Sequence, residues 1–142
     1  MMDTKSLITE IASQWECGYN CYLDPTSGEL ISIPSVSGVM DEDAMQDAFA
    51  AELKKLEEAP GSFVRFEVPA SFEAFAIMER FADQLEEGSL KESLQKALYH
   101  RKPFHHFKNI IDRSPMREDW FRFKAKEYRL LVEQQWAAMD GG

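Results

Sequence analysis

The sequence predicts a helix-rich α+β fold, in which a small antiparallel sheet, made of a hairpin plus one strand, packs against about five helices. Apolar residues recur every three or four positions through most of the chain, which is the spacing of helices with one buried face. Only a few short runs have the character of strands, and turn-forming residues join the first two. The chain has 142 residues, the usual length of one domain, so we expect residues 1–142 to form a single domain.

The first helix is predicted over residues 4–16. Its apolar side chains recur at helical spacing and share one face, which comprises Leu7, Ile8, Ile11, Ala12 and Trp15. Gly18 follows where a glycine commonly ends a helix, because glycine adopts a left-handed backbone conformation without steric cost.

Three strands are predicted. Residues 21–24 and 29–33 are strand-like runs joined by Pro-Thr-Ser-Gly, a pattern that predicts a β-hairpin, and Pro34 ends its second strand. Residues 63–68 alternate from one side to the other, which predicts a half-buried third strand. The side chains that share its buried side are Val64, Phe66 and Val68.

Two helices are predicted in the middle of the chain. Acids at residues 41–43 open the first, because they stabilise the positive end of a helix, and Pro60 ends it. Its apolar stripe comprises Met45, Ala48, Phe49, Leu53 and Leu56. Ser71 is expected to cap the second, which extends to Leu85 and is apolar on two sides, as is typical of a central helix. Its two stripes are Phe72, Phe75, Met78, Ala82 and Leu85, and Ala74, Ile77 and Phe81.

Three further helices are predicted near the C-terminus. Ser89 and Glu92 form a capping box that starts one helix, and Pro103 suits the first position of the next. Ser114 and Pro115 precede the last helix, over residues 116–139, whose aromatic residues we interpret as core. The residues expected to face inward are Leu90, Leu94, Ala97 and Leu98, then Phe104, Phe107 and Ile111, then Phe121, Ala125, Tyr128, Val132, Gln135 and Met139, with Trp120, Phe123, Leu130 and Leu131 on the flank.

Composition and charge exclude several classes of protein. The formal net charge of −9 disfavours a nucleic-acid partner, because polyphosphate and an acidic protein repel each other. No apolar run approaches the roughly 20 residues of a membrane-spanning helix, and the N-terminal segment lacks the pattern of a signal peptide. We therefore expect a cytoplasmic protein without a membrane partner. Cys17 and Cys21 have no neighbouring ligand pair or base, so we interpret them as structural and expect neither a metal nor a cofactor.

Charge is divided unevenly along the chain. Residues 1–88 hold 18 acidic and 5 basic side chains, a net charge of −13, whereas residues 89–142 hold 7 acidic and 11 basic, a net charge of +4. Residues 100–113, which we call the basic block, lie beside proline-started helix N-termini that favour phosphate or carboxylate. The candidate anion-binding residues are Arg101, Lys102, His105, His106, Lys108 and Arg113. The alternative is a solvated surface whose bases pair with Glu118, Asp119 and Glu127.

No common catalytic motif is present in the sequence: a phosphate loop, a dinucleotide-binding fingerprint, a nucleophile elbow and a His-Glu-x-x-His pair are all absent. We therefore expect a noncatalytic interaction or regulatory domain with a protein partner or a second copy of itself. Two alternatives stay open. One is a small-anion or nucleic-acid-binding protein that uses the basic block. The other is an enzyme whose site is assembled from scattered residues such as Glu73, Glu79, Asp83 and the histidines.

Two short segments in the C-terminal half carry a family resemblance. The run Pro-Phe-His-His-Phe-Lys at residues 103–108, followed by Trp-Phe-Arg-Phe at residues 120–123, resembles uncharacterised protein family 0158, a set of small bacterial proteins. The sequence departs from the family pattern at His105 and His106, where members often carry basic residues. The resemblance covers most of the chain and implies a bacterial cytosolic protein and a fold, but no activity, because the family has none assigned.

Overall fold

The structure, a computed structural model, describes residues 3–35, 44, 47–59 and 61–141. Within these residues it contains six helices and a three-stranded antiparallel sheet, which confirms the helix-rich α+β class. The elements are α1 (Thr4–Glu16), β1 (Tyr19–Leu23), β2 (Leu30–Pro34), α2 (Ala50–Glu58), β3 (Val64–Phe66), α3 (Ser71–Gln84), α4 (Ser89–Leu98), α5 (Pro103–Asp112) and α6 (Arg117–Gly141).

The chain divides into two compact units. The first, which we call the sheet unit, comprises Met1–Val68 and Tyr128–Gly142, and the second, the helical unit, comprises Pro69–Glu127. Helix α6 therefore contributes its first part to the helical unit and the rest to the sheet unit. The expectation that residues 1–142 form one domain stays a prediction.

The first helix has the bounds that its apolar spacing predicts. The side chain of Asp3 caps it by accepting a hydrogen bond from the Ser6 N–H at 3.3 Å. Gly18 has a φ of +83° and donates its N–H to the carbonyl of Trp15 at 2.9 Å, as expected for a glycine that ends a helix. Four of the five predicted apolar residues are buried, and Leu7 is half-buried.

The sheet of the first unit has the order β2-β1-β3, with both pairs antiparallel. The central strand β1 begins two residues earlier than predicted, and Cys21 pairs with Ser32 on one side and with Phe66 on the other. The predicted hairpin is present, and Asp24 stabilises its turn by accepting a hydrogen bond from the Thr26 N–H at 2.9 Å.

Aromatic side chains form the centre of the sheet unit. Trp15 is buried, and its indole N–H donates to the carbonyl of Phe66 at 3.0 Å. The ring of Trp15 meets Tyr128 edge-on at 6.0 Å, and the ring of Phe66 lies 6.0 Å from Trp136. Asn20 is a buried polar residue whose side-chain oxygen accepts a hydrogen bond from the Val68 N–H at 2.9 Å.

The predicted second helix differs from the observed α2. The acids at residues 41–43 that were expected to open it, Met45 of its apolar stripe and Pro60 at its expected end all lie outside the described residues. Helix α2 begins at Ala50, because Phe49 has a non-helical backbone with φ −121° and ψ 29°. None of its residues is buried, and Leu53 and Leu56 are half-buried, so the expected stripe is covered only in part.

The core of the helical unit is also aromatic. Phe81 of α3 is fully buried, and its ring centre lies 5.2 Å from that of Trp120 and 5.3 Å from that of Phe123. The ring of Phe107, from α5, lies 4.9 Å from Trp120. Buried residues of α3 come from both predicted stripes, as expected for a central helix; they are Ile77, Met78, Phe81 and Ala82.

Several residues that were predicted to face inward are exposed, and those expectations were wrong. Phe72 on α3 is 76% exposed, because burial on this helix begins only at Ile77. Phe121 on α6 is 39% exposed, and its ring lies under the guanidinium of Arg117 at 4.7 Å. Leu130 and Gln135 are exposed as well, and the buried residues among the described side chains of α6 are Trp120, Tyr128, Val132 and Trp136.

Two predicted helix caps were wrong by one residue. Helix α3 is capped at Ala70, whose N–H donates to the Glu73 side chain at 3.2 Å, so that Ser71 is already the first helical residue. Helix α4 is capped at Gly88, and the predicted capping box at Ser89 does not form. Before α6, the hydroxyl of Ser114 accepts a hydrogen bond from the Met116 N–H at 3.2 Å, as the predicted start requires.

Candidate anion-binding site

The basic block runs from the residues after α4 through α5 to its C-cap. Pro103 is the first residue of α5, as predicted, and the Lys102 carbonyl accepts the first helical hydrogen bond, from the His106 N–H at 3.1 Å. Phe107 and Ile111 anchor the helix because both are buried in the helical unit. Phe104, His105, Lys108, Asn109 and Asp112 of the same helix are exposed.

The strong bases of the block are exposed and make no ion pair with any residue that the structure describes. They are Arg101, Lys102, Lys108 and Arg113. The one acid of the block, Asp112, pairs instead with Arg117 at 3.4 Å. The block therefore presents four positive charges that no neighbouring carboxylate offsets.

Three bases elsewhere in the helical unit pair with acids as the alternative interpretation expected. Arg117 lies 3.8 Å from Glu118, Arg122 pairs with Asp119, and Arg80 pairs with Glu127 at 2.8 Å. Pairing with these three acids thus accounts for Arg80, Arg117 and Arg122 but for none of the strong bases of the block. The sequence could not show this difference, because the partners of a surface base depend on tertiary packing.

The three histidines of the chain come close together. The imidazole centres of His100 and His106 lie 4.3 Å apart with the rings 42° from parallel, and His105 lies 5.8 Å from His106. A ring nitrogen of His105 lies 3.2 Å from the side-chain amide of Asn109. Desolvation, followed by the neighbouring His100, His105 and Lys102, lowers the pKa of His106 below its ordinary value.

A small surface pocket of about 230 Å³ lies between α4 and α5. Its lining comprises Ser93, Lys96, Ala97, His100, His106 and Ile110. Of the six predicted anion-binding residues, only His106 lines it, and the other five lie outside. The prediction missed Ser93, Lys96 and His100, although their steps of three and four residues place them on one side of α4 and its end.

Two exposed aromatic residues flank the bases of the block. Tyr99, directly after α4, is 88% exposed, and Phe104, in the first turn of α5, is 43% exposed. The expectation that Phe104 faces inward was wrong. Phe107 and Ile111 are buried through the later turns of α5, and Phe104 lies before them near the exposed helix start.

The two cysteines lie in different surroundings. Cys21 is fully buried in β1 with its sulfur 3.7 Å from the Ser32 hydroxyl, and burial raises the pKa of its thiol to about 11. A thiol that stays protonated at neutral pH is a poor nucleophile, which fits a structural role. Cys17 is free and exposed, so burial supports a structural role for Cys21 but not for Cys17.

Two of the residues considered for a scattered enzyme site serve other contacts. Glu73 binds the Ala70 N–H at the start of α3, and Asp83 accepts a hydrogen bond from the Gln95 side chain at 3.1 Å. In the part of the chain that the structure describes, no three His, Cys, Asp or Glu side chains gather as a metal site requires. Among the same residues, no helix is long and apolar enough to cross a membrane.

Comparison with known proteins gives a family and one named relative. The sequence model of UPF0158, described as an uncharacterised protein family, matches residues 1–140. The chain is similar to the UPF0158 protein PA5073 of Pseudomonas aeruginosa, with 26% identity over 113 residues, which cover 79% of this chain and 67% of that protein. No solved structure is significantly similar to the chain.

Proposed function

The chain belongs to UPF0158, an uncharacterised protein family, and we propose that it is a noncatalytic protein of the bacterial cytoplasm that binds an acidic segment of a partner protein through the basic block. One observation carries this proposal. The four strong bases of the block are exposed and have no ion pair among the described residues, in a protein whose net charge is −9.

Electrostatic complementarity is the first argument for an acidic partner. Placing like charges close together without counter-charges costs free energy, and a bound carboxylate-rich segment would offset that cost. Arg101 and Arg113 each offer a planar guanidinium that suits bidentate contact with a carboxylate. The remainder of the protein is acidic, so the block is the region that would steer such a segment during association.

The exposed aromatic residues are the second argument. Tyrosine is enriched among the residues that dominate the energy of protein interfaces, and aromatic residues in general are enriched there. Tyr99 and Phe104 lie within a few residues of Arg101 and Lys102, so charge and apolar surface occur together. This combination fits an acidic segment that also carries apolar side chains.

A protein segment is favoured over a nucleic acid by the charge of the sheet unit. That unit holds 15 acidic and 5 basic side chains, a net charge of −10, which repels a long polyphosphate backbone. A short acidic segment carries fewer negative charges than a nucleic acid and would contact only the basic block. The sheet unit therefore repels such a segment less than it repels a nucleic acid.

Fluorescence anisotropy with the full chain tests the proposal. The probe is a labelled peptide of glutamates with interspersed leucines, and its control replaces every glutamate by glutamine. We expect saturable binding of the glutamate peptide that weakens as salt rises, and no binding of the glutamine peptide, because charge supplies the attraction. Tighter binding of a labelled single-stranded oligonucleotide than of the glutamate peptide would overturn the proposal in favour of a nucleic-acid partner.

Variants that replace bases of the block by neutral glutamine test whether the peptide binds there. Arg101→Gln, Lys102→Gln and Lys108→Gln together are expected to weaken peptide binding at least about tenfold, since each base contributes a charged contact. The matched control is Lys5→Gln, Lys126→Gln and Arg129→Gln, which removes the same charge from bases outside the block that also lack ion pairs among the described residues. Equal loss in both variants would mean that net charge alone controls binding, and a concentration-dependent mass without peptide would favour a second copy as the partner.

A further inference from the structure

We propose that the pocket between α4 and α5 is a binding site for a phosphoryl group, either free phosphate or the phosphate of a small monoester. Ser93, Lys96 and Ala97 of its lining lie outside the basic block, and none of the four strong bases of the block lines it. The pocket therefore forms a second site, and its occupation goes beyond the proposed function.

The polar groups that line the pocket suit an oxyanion. Ser93 offers a hydroxyl, Lys96 an ammonium group, and His100 and His106 offer imidazoles. None of these four side chains makes a hydrogen bond or ion pair with another described residue. Among the described residues no carboxylate lines the pocket, so every charge that they turn towards an entering ligand is positive or can become so.

The contact between the two imidazoles adds an independent argument. With their centres 4.3 Å apart, protonation of both rings brings two like charges together, which is unfavourable unless an anion lies beside them. The other charged and titratable groups around His106 are Lys96 across the pocket and Lys102 and His105 on its own side. All are bases, so the surroundings oppose protonation of His106 while the pocket is empty and favour it once an oxyanion binds.

Size limits the ligand. The pocket of about 230 Å³ is smaller than the roughly 300–1,000 Å³ of sites that hold drug-sized ligands. It accommodates a phosphoryl group and a small substituent, whose apolar atoms would meet Ala97 and Ile110. A metal cation fits less well, because two imidazoles are its only ligands and Lys96 repels it.

The three histidines allow a direct test by NMR, because each imidazole signal can be assigned from a single His→Gln variant. Inorganic phosphate is titrated into the full chain near neutral pH, with sodium chloride adjusted to hold ionic strength constant. We expect saturable shifts of the His100 and His106 signals and a smaller shift for His105, which does not line the pocket. Unchanged signals for His100 and His106, or an equal shift of all three, would overturn the proposal.

A matched pair of lysine variants on α4 locates the ligand. Lys96→Gln removes the ammonium group of the pocket and is expected to weaken phosphate binding about tenfold. Lys91→Gln on the same helix is the control, because Lys91 pairs with Glu87 at 3.0 Å and does not line this pocket. Equal phosphate affinity in the two variants would contradict the site.

Further arms of the titration identify the source of the phosphoryl group and separate the two proposals. Tighter binding of glycerol phosphate than of inorganic phosphate would indicate a small monoester, and the reverse would indicate the free ion. Zinc chloride that shifts His100 and His106 where phosphate does not would replace the proposal by a metal site. Because Lys96 lies outside the block, Lys96→Gln should leave binding of the glutamate peptide unchanged, so either proposal can fail alone.

Discussion

The sheet unit and the helical unit have similar cores but different surfaces. Both bury a tryptophan against other aromatic rings: Trp15 meets Tyr128 in the sheet unit, and Trp120 meets Phe81 and Phe107 in the helical unit. Their charges differ. The sheet unit has a net charge of −10, whereas the helical unit holds 10 acidic and 11 basic side chains, a net charge of +1.

The pairing of bases with acids shows where positive charge lies without a counter-charge, which the net charges of the two units do not show. In the sheet unit, Lys54, Lys55 and Arg65 each pair with a glutamate. In the helical unit, Arg80, Arg117 and Arg122 pair in the same way, whereas none of the four strong bases of the basic block has such a pair among the described residues. A nearly neutral unit can thus present a local positive surface, because its counter-charges are used elsewhere.

The largest expected effect comes from removing a buried aromatic ring from the core of the helical unit. Phe107→Ala removes a ring that is 1% exposed and should lower the free energy of unfolding by about 3–5 kcal/mol, the usual cost of a cavity of this size. Phe104→Ala on the same helix is the control and should cost less than about 1 kcal/mol, because that ring is 43% exposed. Denaturant unfolding measures both, and equal losses would show that α5 buries both rings.

Local signals predicted most elements of the fold. Helix α1 has its predicted bounds because the signals that set them are local. Asp3 caps its start, Gly18 follows its end, and apolar residues recur at helical spacing between them. The hairpin was likewise predictable from the turn between β1 and β2. Phe72 and Phe104 were assigned to the core because periodicity identifies one face of a helix but not how far neighbouring elements cover that face.

The candidate site was predicted only in part. The sequence identified the bases of the block, since charge can be read directly from the residues. The pocket was missed because His100 and His106 come from either side of the α4–α5 connection, and their 4.3 Å contact depends on how the two helices pack. The absence of ion pairs in the block is also a tertiary property.

A smaller effect concerns the pH dependence of the helical unit. The pKa of His106 is lower in the folded protein than its ordinary value of 6.5, so the unfolded chain takes up this proton at a higher pH than the folded protein does. Well above pH 6.5, protonation of His106 therefore has no effect on the free energy of unfolding. That free energy falls as the pH drops below 6.5 towards the pKa of His106 in the folded protein. Urea unfolding from about pH 8 to about pH 5 should show a smaller loss in His106→Gln than in the unchanged protein. Identical losses would show that His106 does not contribute.

Charge reversal compares the block with other surface bases most directly. The variants are Arg101→Glu with Lys108→Glu in the block, and Lys126→Glu with Arg129→Glu outside it, which change the net charge equally. Equal denaturant midpoints first establish that both variants fold. Affinity for the labelled glutamate peptide is then measured at one low salt concentration. We expect the block variant to lose binding and the other variant to retain affinity within about threefold of the unchanged protein. Binding that survives in the block variant, or is lost equally in both, would show that the basic block is not the binding surface.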